Sequence, residues 1–184
     1  MRNFRTNDVL IRKFKEDDVD NLYKYFNSSD KIPYLSNIII NENKCETQKI
    51  VESAMIEYYT EEPIWALEEK QTKDVFGFIK IDNYSPKNKI CNISWAMVDN
   101  YSNEKLITQA LKRVMNYLFD KRGIELIECS YYEQGKETGE ILNNVGMKKE
   151  AVLKQRRYNE QTNKREDYII YSMDINDFNL NRKN

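Results

Sequence analysis

One stretch of this chain constrains its fold more than any other, because an apolar strand runs almost directly into a long amphipathic helix. Ile93, Trp95 and Met97 alternate with other residues, as in a strand with one buried face, and the pattern breaks at Asp99–Asn100. Apolar residues then recur at helical spacing: Leu106, Ile107, Ala110, Leu111, Val114, Met115, Leu118 and Phe119. The first N–H groups of a helix lack partners within it, so this junction predicts an anion-binding site. The turn Ser102–Lys105 nevertheless contains no glycine.

The remaining periodic segments alternate between strands and helices in an order typical of a mixed α/β (α+β) fold. Further helices are predicted from Asp17, over about residues 46–59 and over about residues 136–144, and Gly123 and Gly146 are placed to end two of the four helices. The predicted strands are Val9–Phe14, Ile64–Glu69, Val75–Asp82, Ile90–Val98, Ile124–Tyr132, Glu150–Tyr158 and Arg165–Asp174. We expect one domain over residues 1–176 and a frayed polar tail over residues 177–184.

Composition excludes several classes of function. The formal net charge of −1 provides no basic field for nucleic acid, and no apolar run is long enough for a signal peptide or a membrane span. Cys45, Cys91 and Cys129 are odd in number and have no paired spacing, which indicates reduced thiols in the cytoplasm without a disulfide or a metal. The chain has no histidine, so proton transfer must use carboxylates, tyrosine, cysteine, a free amine or water.

Several segments, taken in order, match the pattern of one known superfamily. Thr6 and Arg12 lie in an opening strand that an acidic pair follows, and Gly77 stands in a Gly–x–Ile step. Thr138 and Gly146 occupy the serine and glycine positions of a Ser–x–x–x–Leu–x–x–x–Gly–Phe segment, and REDYIIYSM matches a closing strand. With the gapless match of NISWAMVDNYSNEKLITQA, the whole chain resembles the GNAT acyltransferases, specifically the RimJ/RimL-like N-acetyltransferases.

This resemblance implies a fold and a reaction. The fold would be a central, mostly antiparallel sheet of about seven strands flanked by about four helices, with a V-shaped splay between the fourth and fifth predicted strands. The reaction would be direct transfer of an acetyl group from acetyl-CoA, without a metal, to a primary amine of a protein N-terminus or a small molecule. Folds of this kind often pair through edge strands or helices, so a homodimer is a further expectation.

The resemblance also assigns roles to individual residues. Met97 and Val98 would bind the pantetheine arm of acetyl-CoA, and Thr138 would be the catalytic hydroxyl that interacts with the departing thiolate. Gly135 stands where the family has an asparagine that contacts the arm. The residues expected at the pyrophosphate are Asn103, Glu104, Lys105, Leu106, Ile107 and Thr108.

Departures from the family pattern leave a second function open. Asn103 and Lys105 stand where glycine is usual, and Asn92 stands where many relatives have a glutamate. These differences favour a GNAT-fold ligand-binding or regulatory module with little or no acyl transfer, and a different acyl-CoA or nucleotide-linked donor is a third interpretation. Four carboxylates remain equal candidates for the general base: Glu68, Glu69, Glu128 and Glu133.

Overall fold

The computed structural model describes residues 3–26, 43–97, 104–133, 136–160 and 162–182. Eight strands and five helices lie within these ranges. The strands are β1 (Phe4–Arg5), β2 (Val9–Arg12), β3 (Ile64–Glu69), β4 (Val75–Ser85), β5 (Ile90–Met97), β6 (Leu126–Tyr132), β7 (Lys148–Asn159) and β8 (Lys164–Asp174). The helices are α1 (Asp18–Phe26), α2 (Lys44–Glu57), α3 (Glu104–Arg122), α4 (Lys136–Val145) and α5 (Ile175–Asn181).

All eight strands form one open sheet in the order β1-β2-β3-β4-β5-β6-β8-β7. Every neighbouring pair is antiparallel except β5 and β6, which are parallel. A parallel pair needs a crossover connection, and the long helix α3 provides it. The predicted mixed fold with a mostly antiparallel sheet is confirmed.

Alternation along the strands gives the sheet two different faces. One face carries the larger core, in which buried residues of β2–β6 and β8 pack against α3, α4 and α5. The other face carries a smaller cluster, in which β3, β4 and β5 contribute side chains such as Ile64, Phe78 and Ala96 to α1 and α2. Within the described ranges, no residue of β6, β7 or β8 belongs to that second cluster. The half of the second face that these three strands form is therefore not packed against α1 or α2.

Two elements correct the predicted boundaries. The two-residue strand β1 pairs with Ile11 and Leu10 of β2 and raises the strand count above the predicted seven. The tail predicted to fray from Asp177 is helical through Asn181, because the Asp174 carboxylate caps the Asp177 N–H at 2.7 Å and Phe178 stacks on Phe119 with ring centroids 4.4 Å apart. The predicted helix ends at Gly123 and Gly146 are confirmed, since both adopt positive φ.

A buried ion cluster joins α1 to the sheet. The Arg12 guanidinium donates to both carboxylate oxygens of Asp18 at 2.8 Å and to Glu68 at 2.6 Å. All three residues are buried, so each charge depends on the others for compensation. The cluster therefore holds β2, β3 and the start of α1 in one arrangement.

We expect Asp18→Ala to lower the free energy of unfolding by about 3 kcal/mol, because the substitution leaves buried Arg12 without its bidentate partner. Asp20→Ala is the matched control, since Asp20 lies in the same helical turn but pairs with Lys44 where both side chains are exposed. Urea unfolding followed by circular dichroism measures both. Equal losses for the two variants would contradict a structural role for the buried cluster.

Candidate active site

The sheet opens between β5 and β6. The ladder joins these strands at only three positions, and its last pair is Asn92 with Glu128. Beyond that pair, β5 continues to Met97 and β6 continues to Tyr132 with no ladder partner between them. A wedge-shaped gap results, with two strand edges whose backbone groups face each other across it. The predicted V-shaped splay is present at the expected place.

The N-terminus of α3 lies at the same edge of the sheet as the open end of the gap. Leu106 and Ile107 are buried in the core below α3, so these two residues can offer a ligand at the helix end only their backbone N–H groups. Glu104, Lys105, Leu106, Ile107 and Thr108 therefore belong to the helix itself, not to the loop that was predicted to hold pyrophosphate. The helix dipole makes this end favourable for negative charge.

Lys105 is directed away from the gap. Its Nζ lies 3.0 Å from the Asp8 carboxylate, just before β2, which is three strands away from β5. Gln109 donates to the same carboxylate at 2.9 Å. The hydrogen bond from Gln109, followed by the one from Lys105, lowers the pKa of Asp8 below its ordinary value. The Lys105 side chain thus extends toward Asp8 and not over the end of α3.

Thr138 lies in the first turn of α4, on the inward side of the helix. It is one helical turn before Ile141 and Leu142, which are buried in the core, and it is partly buried itself. The next residue, Gly139, packs against Tyr131: a Cβ added at Gly139 would lie 2.6 Å from the Tyr131 hydroxyl. Tyr131 pairs with β8 but has no ladder partner on β5, so this contact places the start of α4 beside the part of β6 that lies beyond the β5–β6 ladder.

The predicted site residues are therefore only partly placed. Met97 is partly buried at the open end of β5, and Thr138 is the partly buried residue of α4 that precedes Gly139, which packs against Tyr131 of β6. Val98, Asn103 and Gly135 lie outside the described residues. The sequence analysis did not predict that Gly139 lets α4 pack closely on β6. The signal for it was the glycine itself, which has no side chain and allows a helix to approach a strand closely.

The four candidate bases differ in position. Glu68 is buried against Arg12, and Glu69 ends β3, two strands away from the gap. Glu128 and Glu133 flank the unpaired edge of β6 at its two ends. Glu128 occupies the closed end, on the face opposite buried Ile127 and Cys129, whereas exposed Glu133 follows the open end. The geometry favours these two over the others.

The tyrosine and cysteine side chains near the gap are poor bases. Burial, with a smaller contribution from Tyr171, raises the pKa of Tyr131 to about 12. Burial likewise raises the pKa of the Cys91 and Cys129 thiols to about 12. A thiolate is the nucleophilic form of cysteine, so the raised pKa argues against these two residues as nucleophiles in an acyl transfer. Among the described residues, no group of three or more acidic, cysteine or histidine side chains could hold a metal ion.

A family model for the acetyltransferase (GNAT) domain matches residues 8–148. The protein is thus an acyltransferase. Its sheet, in which the parallel strands β5 and β6 separate beyond Asn92 and Glu128, agrees with this class. The match spans more than half of the chain, and the chain belongs to the GNAT acetyltransferase family. The membership predicted from the sequence is confirmed.

Individual relatives agree with this assignment. The chain is 20% identical over 158 residues to the uncharacterized N-acetyltransferase YoaA of Bacillus subtilis strain 168. The alignment covers 85% of this chain and 89% of YoaA. The chain resembles the solved structure of the ribosomal-protein-S5-alanine acetyltransferase from Vibrio fischeri, with a TM-score of 0.77 and 15% identity. The alignment covers 95% of this chain and 97% of the Vibrio fischeri chain. The microcin C7 self-immunity acetyltransferase MccE, solved with acetyl-CoA and AMP, gives a TM-score of 0.73, 17% identity and coverage of 92% and 94%. The structural likenesses establish the shared fold and include a ribosomal-protein enzyme, as the RimJ/RimL-like resemblance predicts.

The helices in the described ranges lack the combination of length and apolar character that a membrane span requires.

We expect the folded protein to expose one reactive thiol. Cys45 is exposed, whereas Cys91 and Cys129 are buried and, with a pKa of about 12, hold about one part in ten thousand as thiolate at pH 8. Titration with a disulfide reagent such as DTNB should label one cysteine in the native protein and all three in guanidinium chloride. Rapid labelling of two or three cysteines in the native state would contradict the argument against a cysteine nucleophile.

Proposed function

We propose that this protein is an acetyl-CoA-dependent N-acetyltransferase that binds its co-substrate in the gap between β5 and β6. The unpaired backbone edges of these two strands carry the proposal. An extended arm that contains amide groups can pair with such an edge as an added strand, with its own N–H and C=O groups matching those of the protein. The pantetheine arm of CoA has this chemistry, and the acetyl-CoA complex of the related fold MccE supports the choice.

The described residues fit this co-substrate at three points. Met97 provides backbone groups at the open end of β5, and the first turn of α3 provides N–H groups and a favourable dipole for the pyrophosphate. The Lys105 ammonium, 70% exposed, can turn from Asp8 toward a phosphate without unfolding any element. The proposed binding set also includes three residues that lie outside the described ranges: Val98, Asn103 and Gly135.

The proposed chemistry requires little more than correct placement of two reactants. The amine nitrogen forms a bond to the thioester carbonyl carbon as the carbon–sulfur bond breaks, and the sulfur leaves with the bonding electrons. The proton lost by the amine passes through water to a carboxylate, for which we propose Glu128 or Glu133. The departing thiolate takes up one proton from solvent water, which balances the proton lost by the amine, and the Thr138 hydroxyl can donate a hydrogen bond to its sulfur. Positioning and carbonyl polarisation provide most of the rate enhancement in such a mechanism.

We propose that the amine enters from the half of the sheet that α1 and α2 leave uncovered. This face carries Glu128 and Ser130 along β6, beside Tyr168 of β8, whose hydroxyl contacts that of Ser130. The surface is polar and fits a small-molecule amine or a peptide N-terminus; the alanine acceptor named for the Vibrio fischeri relative favours the latter. We also propose that the enzyme is cytoplasmic and has no nucleic-acid or membrane partner, which the net charge of −1 and the unpaired cysteines support. The homodimer expected from the resemblance stays a prediction.

Acetyl-CoA binding and transfer test the proposal directly. At one hundred times its dissociation constant, acetyl-CoA should stabilise the protein by about 2.7 kcal/mol in thermal unfolding. Mass spectrometry should then detect an acetylated product from a panel of peptides with N-terminal alanine or serine, free amino acids and spermidine.

The possible failures have different meanings. No stabilisation by acetyl-CoA, propionyl-CoA or CoA at saturating concentration would overturn the proposed function. Stabilisation without transfer to any amine of the panel would favour the ligand-binding or regulatory module. Transfer from propionyl-CoA in strong preference to acetyl-CoA would assign a different acyl donor.

Two substitutions at Thr138 distinguish the contribution of its hydroxyl from that of its size. Thr138→Val keeps the shape of the side chain but removes the hydrogen-bond donor to the departing thiolate. We therefore expect kcat to fall about tenfold, because a tenfold change in rate corresponds to the loss of one hydrogen bond of about 1.4 kcal/mol. Thr138→Ser retains the hydroxyl and should keep most of the turnover. Steady-state kinetics and acetyl-CoA affinity are measured for both. Unchanged kcat in Thr138→Val would remove this residue from the mechanism.

A further inference from the structure

The first turn of α4 makes a close contact with β6. Gly139 is buried, and a Cβ added to it would lie 2.6 Å from the Tyr131 hydroxyl oxygen. The next nearest atoms, the Tyr171 hydroxyl oxygen at 3.5 Å and the Tyr131 Cζ at 3.7 Å, are at ordinary contact distances. A side chain at position 139 is therefore obstructed by one atom alone, the phenol oxygen of Tyr131.

The Tyr131 side chain has little room to turn aside. Its ring packs against the larger core, and its centroid lies 6.1 Å from that of Tyr171, which is buried. The Tyr131 backbone is held as well, because it pairs with Ile169 of β8. An added methyl would therefore act on the helix. It would displace the first turn by about 0.8 Å, the difference between 2.6 Å and the 3.4 Å at which ordinary contact begins.

The remainder of α4 is anchored at other points. Ile141, Leu142 and Val145 are buried in the larger core and hold the later part of the helix. Gly139 is then the contact that sets how closely the first turn approaches β6. Thr138 belongs to the same turn and directly precedes the glycine. Since helix geometry fixes neighbouring residues relative to one another, a displacement at Gly139 is passed on to Thr138.

We propose that Gly139 is a positioning residue, whose missing side chain lets α4 approach Tyr131 closely enough for the Thr138 hydroxyl to reach the departing thiolate. The inference rests on the proposed function, in which Thr138 donates that hydrogen bond, and adds the residue that sets its distance. Hydrogen bonds form over a narrow range of distances, so a displacement of about 0.8 Å is enough to lose this one. Gly139 itself touches no reactant.

Gly139→Ala tests the proposal together with a second substitution that restores the fit. The alanine methyl meets the Tyr131 hydroxyl, so we expect kcat to fall by up to about tenfold, the loss expected for Thr138→Val. Gly139→Ala/Tyr131→Phe lacks the obstructing oxygen and leaves the nearest of the contact atoms at 3.5 Å, so it should recover most of the lost kcat. Steady-state kinetics with an amine identified in the panel measures both. A loss that Tyr131→Phe does not reverse would overturn the proposal.

A double-mutant cycle with Thr138→Val separates positioning from general damage. Once the Thr138 hydroxyl is absent, Gly139→Ala has no hydrogen bond left to displace, so the two losses of kcat should not multiply. Thr138→Val/Gly139→Ala should therefore have the kcat of Thr138→Val alone. Losses that multiply would mean that Gly139→Ala harms the site by another route, and the proposed role would be wrong.

Glu140→Ala is the matched control. Glu140 is the next residue of α4 and its side chain is exposed, so alanine there adds no atom against β6. Its kcat should equal that of the wild-type protein. A loss as large as that of Gly139→Ala would show that α4 is sensitive to any substitution, and would contradict a specific role for Gly139.

A measurement on the wild-type protein covers the case in which Gly139→Ala does not fold. CoA and desulfo-CoA differ only in the sulfur, so the difference between the nuclear magnetic resonance spectra of their complexes should include the resonances of Thr138. Identical Thr138 shifts with the two ligands would overturn the proposal, as would wild-type kcat in folded Gly139→Ala. If the wild-type protein binds neither ligand, the proposed function itself fails; if it binds and transfers but Thr138 does not respond, only the role of Gly139 fails.

Discussion

The loss of the ladder between β5 and β6 after Asn92 and Glu128 is the constraint on which the rest of this structure depends. Backbone groups inside a sheet are normally paired, and unpaired strand edges are usually covered or blunted. Here two edges face each other within the sheet. The gap is compatible with a stable fold because one buried core continues from one half of the sheet to the other: residues of β2–β6 and β8 belong to the same cluster as those of α3, α4 and α5. The ion cluster of Arg12 further secures the first half.

The chemistry of the gap follows from what surrounds it. The chain has no histidine, and burial raises the pKa of Cys91, Cys129 and Tyr131 to about 12. Among the described side chains around the gap, these groups are therefore weak nucleophiles near neutral pH. What remains are backbone N–H groups, hydroxyls such as that of Thr138, and carboxylates at the ends of the β6 edge. Such a set suits a reaction between two reactants that are already reactive, in which the protein aligns them and stabilises charge.

The sequence predicted most of the fold because its strongest patterns are local. The apolar stripe of α3 and the glycines after α3 and α4 gave nearly correct helix bounds, and Ile64–Glu69 was predicted with its observed limits. Missed elements depend on distant contacts: β1 is only a two-residue pairing with β2, and α5 relies on Phe178 meeting Phe119. Tertiary contacts of this kind leave little trace in local periodicity.

The site was less predictable, for the same reason. A resemblance to known sequences indicated Met97, the start of α3 and Thr138, but the direction of Lys105 depends on Asp8, which is remote in the chain. The close packing of Gly77 against β5, where an added Cβ would lie 2.2 Å from the Ala96 carbonyl oxygen, becomes visible only in the folded structure. A glycine within a strand is a general sign of close backbone approach, yet it does not say which peptide is approached.

Hydrogen exchange with and without CoA tests the central claim most directly, because it reports on the two facing edges themselves. If the arm of CoA pairs with β5 and β6 in the gap, saturating CoA should slow exchange of amides at the end of β5, including Met97, and along Cys129–Tyr132. Amides of α1 and α2 should change little. Protection confined to other elements, at a CoA concentration shown by calorimetry to saturate the protein, would contradict the account.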